Sequence, residues 1–205
     1  MLDVFVTASL RHGAIRVRAG GTPVNAALAI GAGATVVGRV GDDPAAAAIR
    51  AALRDVGTKL AVDPGLPTGT YVELADGTVA ADRGANAALA VADVLPLAAD
   101  AVLVSGYIAR DVAAAVLEGA DARWRAIVAT PLGGELPAGA NVVFANAEEA
   151  AQLDLSGYEI AVVTRGADGA TVHRDGRATH VPPSGDTGTG AGDAFAGRFL
   201  ASLVG

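Results

Sequence analysis

A run of small residues near the carboxyl end of the chain, at positions 186–192, leads directly into Asp193 and an apolar helix. Glycines let a ligand approach the backbone closely, and the first N–H groups of a helix have no partner within it. The amides of Gly190, Ala191 and Gly192 are therefore predicted to form an anion site suited to phosphate. Asp193 would lie beside it, where a carboxylate can accept a proton from a substrate hydroxyl. The same pattern also fits a flexible loop followed by an acid that only favours the helix dipole.

A second polar group, Asn146-Ala147-Glu148-Glu149, follows a predicted strand and opens a predicted helix. With Asn146 as N-cap and Glu149 three residues later, the spacing is that of a capping box, which is a sufficient structural explanation. The functional interpretation is a magnesium site in which the carboxylate holds metal-bound waters, because Mg²⁺ keeps several waters and takes few protein ligands. Both interpretations stay open at this stage.

Three further loops carry residues that could bind a ligand. Residues 164–169 follow a strand and precede a hairpin, so they form either a turn or a loop that meets a nucleotide through a hydroxyl and backbone groups. The segments at 20–25 and 84–86 could present Asn25 and Asn86 to a polyhydroxy ligand. Each of these patterns is also typical of an ordinary turn.

The composition of the 205 residues narrows the classes of protein that these motifs could serve. The formal net charge of −7 argues against nucleic acid or an anionic membrane as the main partner. Since the chain has no cysteine, disulfides, thiolate metal sites and cysteine nucleophiles are excluded. No apolar run reaches the ~18–20 residues of a membrane span, and no signal-peptide pattern is visible. We therefore expect a soluble cytoplasmic protein.

The motifs are expected at the ends of strands that alternate with helices. Apolar runs predict strands at residues 2–6, 35–40, 101–105, 126–129, 141–144 and 160–164. Helices are predicted at residues 24–30, 44–56, 111–117, 147–153 and 191–203, and the first of them has Thr22 as its expected N-cap. Hairpins are predicted at residues 75–77 and 175–176. This alternation implies a mostly parallel sheet that is covered on both faces.

Taken together and in order, these motifs resemble those of the ribokinase-like (PfkB) carbohydrate kinase family, from about residue 15 to the end of the chain. The motifs are Gly20-Gly21 with Asn25, Gly41-Asp42, Thr68-Gly69, Gly84-Ala85-Asn86, Asn146 with Glu149, residues 164–169, and Thr189-Gly190-Ala191-Gly192-Asp193. The last of these is the most specific. The resemblance implies one α/β domain over residues 1–205, a three-layer α/β/α sandwich with a mostly parallel central sheet. A small β lid, at about residues 15–19 and 70–81, would cover the sugar site.

The resemblance also implies a function. It is the ATP-dependent transfer of the γ-phosphoryl group to a hydroxyl of a small-molecule sugar or nucleoside. Asp193 would be the catalytic base, and the amides of Gly190, Ala191 and Gly192 would stabilise charge on the transferring phosphoryl group. The family's lid also suggests a homodimer, in which two copies pair through their lids.

The other candidate residues receive roles by the same resemblance. Asn146 and Glu149 would organise Mg²⁺ and its waters. The residues expected to contact ATP are Asn146, Thr164, Gly166 and Gly169. The residues expected to face the sugar are Gly21, Asn25 and Asn86.

Some positions depart from the family's pattern. Where the family has an aspartate at the end of the first strand, we find residues 8–13 without an acid, and Thr130-Pro131 stands where the family has Asp-Pro. One extra residue separates Asp186 from Asp193, and the chain is shorter than most members. These departures suggest a second function class, a kinase-like protein that binds a sugar or nucleotide, or acts in regulation, with little catalysis.

Overall fold

Strands and helices alternate along most of the chain, as the apolar patterns predict. The computed structural model describes residues 1–7, 14–130, 135–183, 185 and 188–205. Within these residues the strands are β1 (Leu2–Thr7), β2 (Ala14–Ala19), β3 (Thr35–Gly41), β4 (Gly57–Asp63), β5 (Thr68–Leu74), β6 (Val79–Gly84), β7 (Ala101–Ser105), β8 (Trp124–Val128), β9 (Val142–Asn146), β10 (Ile160–Thr164), β11 (Ala170–Arg174) and β12 (Arg177–Val181). The α-helices are α1 (Thr22–Ile30), α2 (Pro44–Ala52), α3 (Val91–Val94), α4 (Arg110–Gly119), α5 (Ala147–Ala150) and α6 (Ala191–Val204).

The largest sheet has six strands in the order β12-β11-β10-β9-β8-β7. Strands β7 to β10 run parallel, and β11 and β12 form an antiparallel hairpin at one edge. Successive residues of β9 point to opposite faces. Val143 lies in the same buried cluster as Val116 of α4, whereas Phe144 lies in a cluster with Leu200 of α6. Helices therefore cover both faces, and the predicted α/β/α sandwich is confirmed.

A second sheet, which we call the lid sheet, has four strands in the order β2-β1-β5-β6. Strand β1 runs antiparallel to β2 and parallel to β5, and β5 and β6 form a hairpin. The sheet is wider than the two segments expected from the sequence, because β1 lies between β2 and β5. The turn of this hairpin lies at residues 75–77, as predicted, and Gly77 has a φ of 83°.

A third group of elements lies beside these two sheets. Strands β3 and β4 form a parallel pair of their own, and α1 packs against β3, β7 and α6. Within the described residues β3 and β7 are not hydrogen-bonded to each other. They border a cavity of about 100 Å³ that is lined by Val36 to Val40 of β3 and by Ser105 of β7. Helix α1 follows β2 of the lid sheet in the chain and packs against β7 and α6, so it connects the lid sheet to the elements around the large sheet.

Several helix ends differ from the predicted ones. Helix α1 begins at Thr22 with Gly21 as its N-cap, so the prediction that Thr22 is the N-cap is wrong. Helix α2 ends at Ala52 and α5 at Ala150, both earlier than predicted. Residues 53–56, which were predicted to continue α2, form a turn before β4, and the pairing of β4 with β3 is a long-range contact that local patterns do not reveal. None of the helices in the described ranges is long and apolar enough to cross a membrane.

Candidate active site

A cleft of about 200 Å³ opens where the carboxyl ends of the parallel strands meet the first turn of α6. The carboxyl ends of strands in such sheets are where ligands bind in α/β folds. Six of the residues predicted from the sequence line this one cleft: Asn146, Glu149, Thr164, Gly190, Gly192 and Asp193. They come from three segments of the chain, which the fold brings together.

Asp193 is held in place by α1. The side-chain amide of Asn25 donates a hydrogen bond from Nδ2 to Oδ2 of Asp193 at 3.0 Å, and the Thr22 hydroxyl also bonds to this carboxylate. Burial raises the pKa of Asp193, because desolvation disfavours its charged form, while these hydrogen bonds and the positive charge of Arg18 partly oppose the shift. The result is a desolvated, oriented carboxylate that is more basic than an ordinary aspartate.

The contact between Asn25 and Asp193 requires α1 and α6 to approach closely. Gly190, the N-cap of α6, has a φ of 89°, and a Cβ atom on it would lie 2.6 Å from Nδ2 of Asn25. Further along α6, a Cβ atom on Gly197 would lie 2.5 Å from the backbone oxygen of Ala26. Both distances are shorter than side-chain atoms tolerate. The two helices can therefore place Asn25 beside Asp193 only because these positions have no side chain.

The three predicted anion-binding amides do not behave alike. Gly190 and Gly192 line the cleft. The N–H of Ala191 instead donates to the carbonyl oxygen of Gly188 at 3.1 Å, closing a turn just before the helix. In this conformation the turn holds the loop in shape, and the cleft is lined by the residues on either side of Ala191.

Asn146 and Glu149 form the capping box that their spacing predicts. The N–H of Glu149 donates to Oδ1 of Asn146 at 2.9 Å, and the N–H of Asn146 donates to Oε2 of Glu149 at 2.8 Å. The structural interpretation is therefore confirmed, and the same residues also line the cleft. Burial raises the pKa of Glu149, and the negative charges of Glu148 and Asp193 raise it further. Two carboxylates that repel each other across a cleft suit a cation between them.

The residues of the predicted nucleotide loop are divided. Thr164, the last residue of β10, lines the cleft. Gly166 and Gly169 follow in a short turn and are not among the lining residues. Gly169 has a local structural reason to be glycine: its φ is 79°, and a Cβ atom would lie 2.2 Å from the backbone oxygen of Val181. The close approach of the β12 backbone therefore explains why residue 169 is a glycine.

The predicted sugar residues also separate into two places. Gly21 and Asn86 line the cavity of about 100 Å³ next to β3, whereas Asn25 donates to Asp193. Tyr107, which follows β7, lines both this cavity and the cleft. The phenol ring of Tyr107 therefore lies where the two spaces approach each other.

Sequence analysis missed a buried acid in the first strand. Asp3 of β1 is only 3% exposed, forms an ion pair with Arg18 at 3.4 Å, and has its pKa raised mainly by burial. A Cβ atom on Gly20 would overlap its carboxylate, so glycine is needed there. The expectation of no acid concerned residues 8–13, which lie outside the described residues, and the acid occurs earlier. The signal available was an aspartate that interrupts the apolar run at residues 2–6.

Solved structures of low sequence identity share this fold. Ribokinase from Thermotoga maritima matches with a TM-score of 0.83 and 18% identity, over 99% of this chain and 82% of that one. Fructokinase from Vibrio cholerae O395 with bound fructose, ADP and calcium ion matches at 0.76 and 23%, over 99% and 82%. Aminoimidazole riboside kinase from Salmonella enterica matches at 0.73 and 22%, over 100% and 82%. The chain therefore has the ribokinase-like fold.

The family follows from a direct comparison of the sequence. A family model described as pfkB family carbohydrate kinase matches residues 3–205, so this chain belongs to the PfkB family of carbohydrate kinases. A search of curated protein sequences finds no match.

Proposed function

We propose that this chain is an ATP-dependent kinase that transfers the γ-phosphoryl group of ATP to a hydroxyl of a sugar or nucleoside. The observation that carries the proposal is the environment of Asp193. A half-buried carboxylate, oriented by Asn25 and Thr22, lines the same cleft as Gly190 and Gly192 at the first turn of α6. A base next to a group of backbone donors is what transfer of a phosphoryl group to a hydroxyl requires.

In this proposal Asp193 takes the proton of the acceptor hydroxyl while the hydroxyl oxygen attacks the γ-phosphorus. The bond from phosphorus to the bridging oxygen of ATP breaks, and ADP leaves with that oxygen and the bonding electrons. Burial raises the pKa of Asp193 and so its basicity, while the hydrogen bonds from Asn25 and Thr22 favour its charged form and partly oppose that shift.

Backbone groups replace lysine in stabilising the phosphoryl group. Lys59 is the single lysine of the sequence, and its ammonium donates to the backbone oxygen of Val94 at 3.1 Å, outside the cleft. Gly190, Ala191 and Gly192 lie at the positive end of the dipole of α6. We propose that the amides of this turn, Gly190 and Gly192 foremost, hold the transferring group.

The same cleft suits ATP with Mg²⁺. Within the described residues no three His, Cys, Asp or Glu side chains form a metal-binding cluster. A magnesium ion here would therefore take few protein ligands and complete its shell with water and phosphate oxygens, as is usual for this ion. Asn146 and Glu149 would hold it, and its charge would offset the burial and the repulsion that together raise the pKa of Glu149. When bound, the ion neutralises negative charge on the phosphates.

The remaining predicted residues receive their positions around this centre. We place the ATP phosphates beside Thr164, with Gly166 and Gly169 in the loop that follows it. We place the acceptor on the Tyr107 side of Asp193, toward Gly21 and Asn86, because Tyr107 lines both spaces. Asp3 adds a buried carboxylate on the lid sheet that can accept hydrogen bonds from sugar hydroxyls. Its presence removes one reason for assigning the chain to a protein that binds without catalysis.

The test is release of ADP from Mg-ATP in the presence of pentoses, hexoses, nucleosides and sugar acids, with the phosphorylated product identified by mass spectrometry. We expect at least one acceptor to stimulate ADP release above the rate with water alone. Binding of an acceptor by calorimetry without any phosphorylated product would instead support the binding protein.

The pH dependence of turnover should report Asp193. The base works only when unprotonated, and burial raises its pKa, so kcat should fall on acidification at a higher pH than for an ordinary aspartate. Asn25→Ala removes a hydrogen bond that favours the charged form, so the pKa should rise and the acid limb should move to still higher pH. The measurement is kcat against pH for both proteins. An acid limb that stays in place in Asn25→Ala would contradict the assignment of Asp193 as base.

A further inference from the structure

The residue just before the N-cap of α6 is held by the lid sheet. Nη2 of Arg18, on β2, donates to the backbone oxygen of Thr189 at 2.5 Å. The hydroxyl of Thr189 donates to Oε2 of Glu73, on β5, at 2.7 Å. These two contacts join Thr189 to positions 171 and 116 residues away along the chain. We call the three residues Arg18, Glu73 and Thr189 the latch.

The lid sheet presents Arg18 and Glu73, its two residues in the latch, on one face. Asp3 is paired with Arg18 on one side and with Tyr71 on the other, so these three side chains point the same way. Glu73 is two residues after Tyr71 and shares that face. Arg18 is also paired with Asp3 at 3.4 Å, and the Tyr71 hydroxyl donates to Glu73 at 3.4 Å. Arg18 and Glu73 are therefore each held by a neighbour within the lid sheet as well as by Thr189.

Thr189 lies at a sensitive position in the loop. It is enclosed by the turn in which the Ala191 N–H donates to the Gly188 oxygen, and it is followed by Gly190, which packs against Asn25. A shift of Thr189 therefore moves Gly190 and the turn that carries the cleft-lining backbone. The backbone oxygen and the side chain of Thr189 are both bound by the lid, so the lid fixes its orientation as well as its position.

We propose that Arg18 and Glu73 are positioning residues that align the phosphoryl-binding turn only when the lid sheet lies over the site. This proposal rests on the proposed function, because it assigns a role in phosphoryl transfer. Since Arg83 of the lid sheet lines the cavity toward which the acceptor is placed, the latch would link acceptor binding beside the lid to the order of the turn at α6.

The kinetic test compares Arg18→Ala and Thr189→Val with Arg16→Ala. Arg16 lies two residues earlier on the same strand and face, is exposed, and pairs with Phe5 rather than reaching the loop. Because Arg18 also acts on the charge of Asp193, kcat is compared on the pH plateau above the acid limb. We expect Arg18→Ala and Thr189→Val each to lower kcat about 10-fold, with smaller changes in KM, the loss expected for one charge-assisted hydrogen bond. Arg16→Ala should stay near wild type. Equal kcat in Arg18→Ala and Arg16→Ala would overturn the proposal.

The arm of the latch formed by Glu73 and Thr189 allows a double-mutant cycle. Glu73→Ala and Thr189→Val remove the two sides of one hydrogen bond, so the double variant should lose no more kcat than either single variant. Glu73→Gln keeps an acceptor oxygen and Thr189→Ser keeps the hydroxyl, so both should restore most of the loss. Additive losses in the double variant would show that the two residues act separately and would count against the latch.

Hydrogen exchange separates this proposal from the proposed function. The amides of residues 188–193 should exchange faster in Arg18→Ala than in Arg16→Ala, with no acceptor and no turnover involved. Faster exchange in a protein that phosphorylates no acceptor would leave the latch standing and remove the proposed function. Unchanged exchange together with unchanged kcat, in a protein that does phosphorylate an acceptor, would remove the latch and leave the function.

Discussion

Asp193→Asn should lower kcat by about 10²–10⁴-fold, the contribution of a positioned base. The amide keeps the size of the carboxylate and can still bond to Asn25, but it cannot accept the proton of the acceptor hydroxyl. The folded protein should not lose stability. Burial raises the pKa of Asp193 in the folded state, so the stabilising effect of the protonated form is lost as pH rises through that pKa, and at neutral pH the charge opposes folding. We therefore expect an equal or higher melting temperature, measured beside kcat.

A matched acid tests the alternative in which Asp193 only favours the helix dipole. Asp111 lies in the first turn of α4, as Asp193 lies in the first turn of α6, and it does not line the cleft. Asp111→Asn removes a comparable dipole interaction, worth about 0.3–1 kcal/mol at an exposed helix end. It should therefore cost a little stability and no kcat. Retention of full turnover by Asp193→Asn would refute the catalytic assignment.

Gly190→Ala should lower kcat by about 10²-fold, because displacement of a catalytic group by about 1 Å is enough for a loss of that size. The added Cβ would lie 2.6 Å from Nδ2 and 2.9 Å from Cγ of Asn25, so either the loop or Asn25 must move away from Asp193. A φ of 89° adds strain for any residue with a side chain. Kinetics with the identified acceptor, together with the melting temperature, measure the two effects.

Gly188→Ala separates strain from displacement. Gly188 has a similar φ of 93°, but a Cβ atom there would meet nothing within 4 Å. The substitution therefore strains the backbone two residues earlier in the same loop without touching Asn25. We expect its effect on kcat to be much smaller than that of Gly190→Ala. Equal losses in both variants would mean that loop strain, and not the contact with Asn25, controls turnover.

The parts of the site that could be predicted from the sequence are those whose signal is local. Asp193 and the glycines before it are consecutive, and Asn146 and Glu149 have the three-residue spacing of a capping box. Both patterns lie at the start of a helix, and the helical backbone fixes the positions of its first residues relative to one another. The alternation of strands and helices likewise predicted the layers of the sandwich.

The parts that could not be predicted depend on contacts between distant segments. The spacing of Asn25 shows a polar residue on a helix but not that it faces Asp193, 168 positions later. The partners of Thr189 lie on two lid strands, and an exposed arginine on β2 is common enough to carry no signal by itself. Asp3 was overlooked because the family pattern directed attention to residues 8–13. For Asn25 and Thr189 the missing information is the register of packing, which local pattern does not contain.

The close contact between α1 and α6 limits which substitutions this protein can accept during evolution. Asn25 and Asp193 stand on two helices whose backbones touch at Gly197 and Ala26, where even one methyl group would act as a wedge. The geometry of the proposed catalytic step thus depends on the absence of a side chain at Gly197, which does not line the cleft. Such positions tolerate almost no substitution. The freedom to acquire new acceptors must therefore lie in the lid sheet, whose strands expose much of their side-chain surface to solvent.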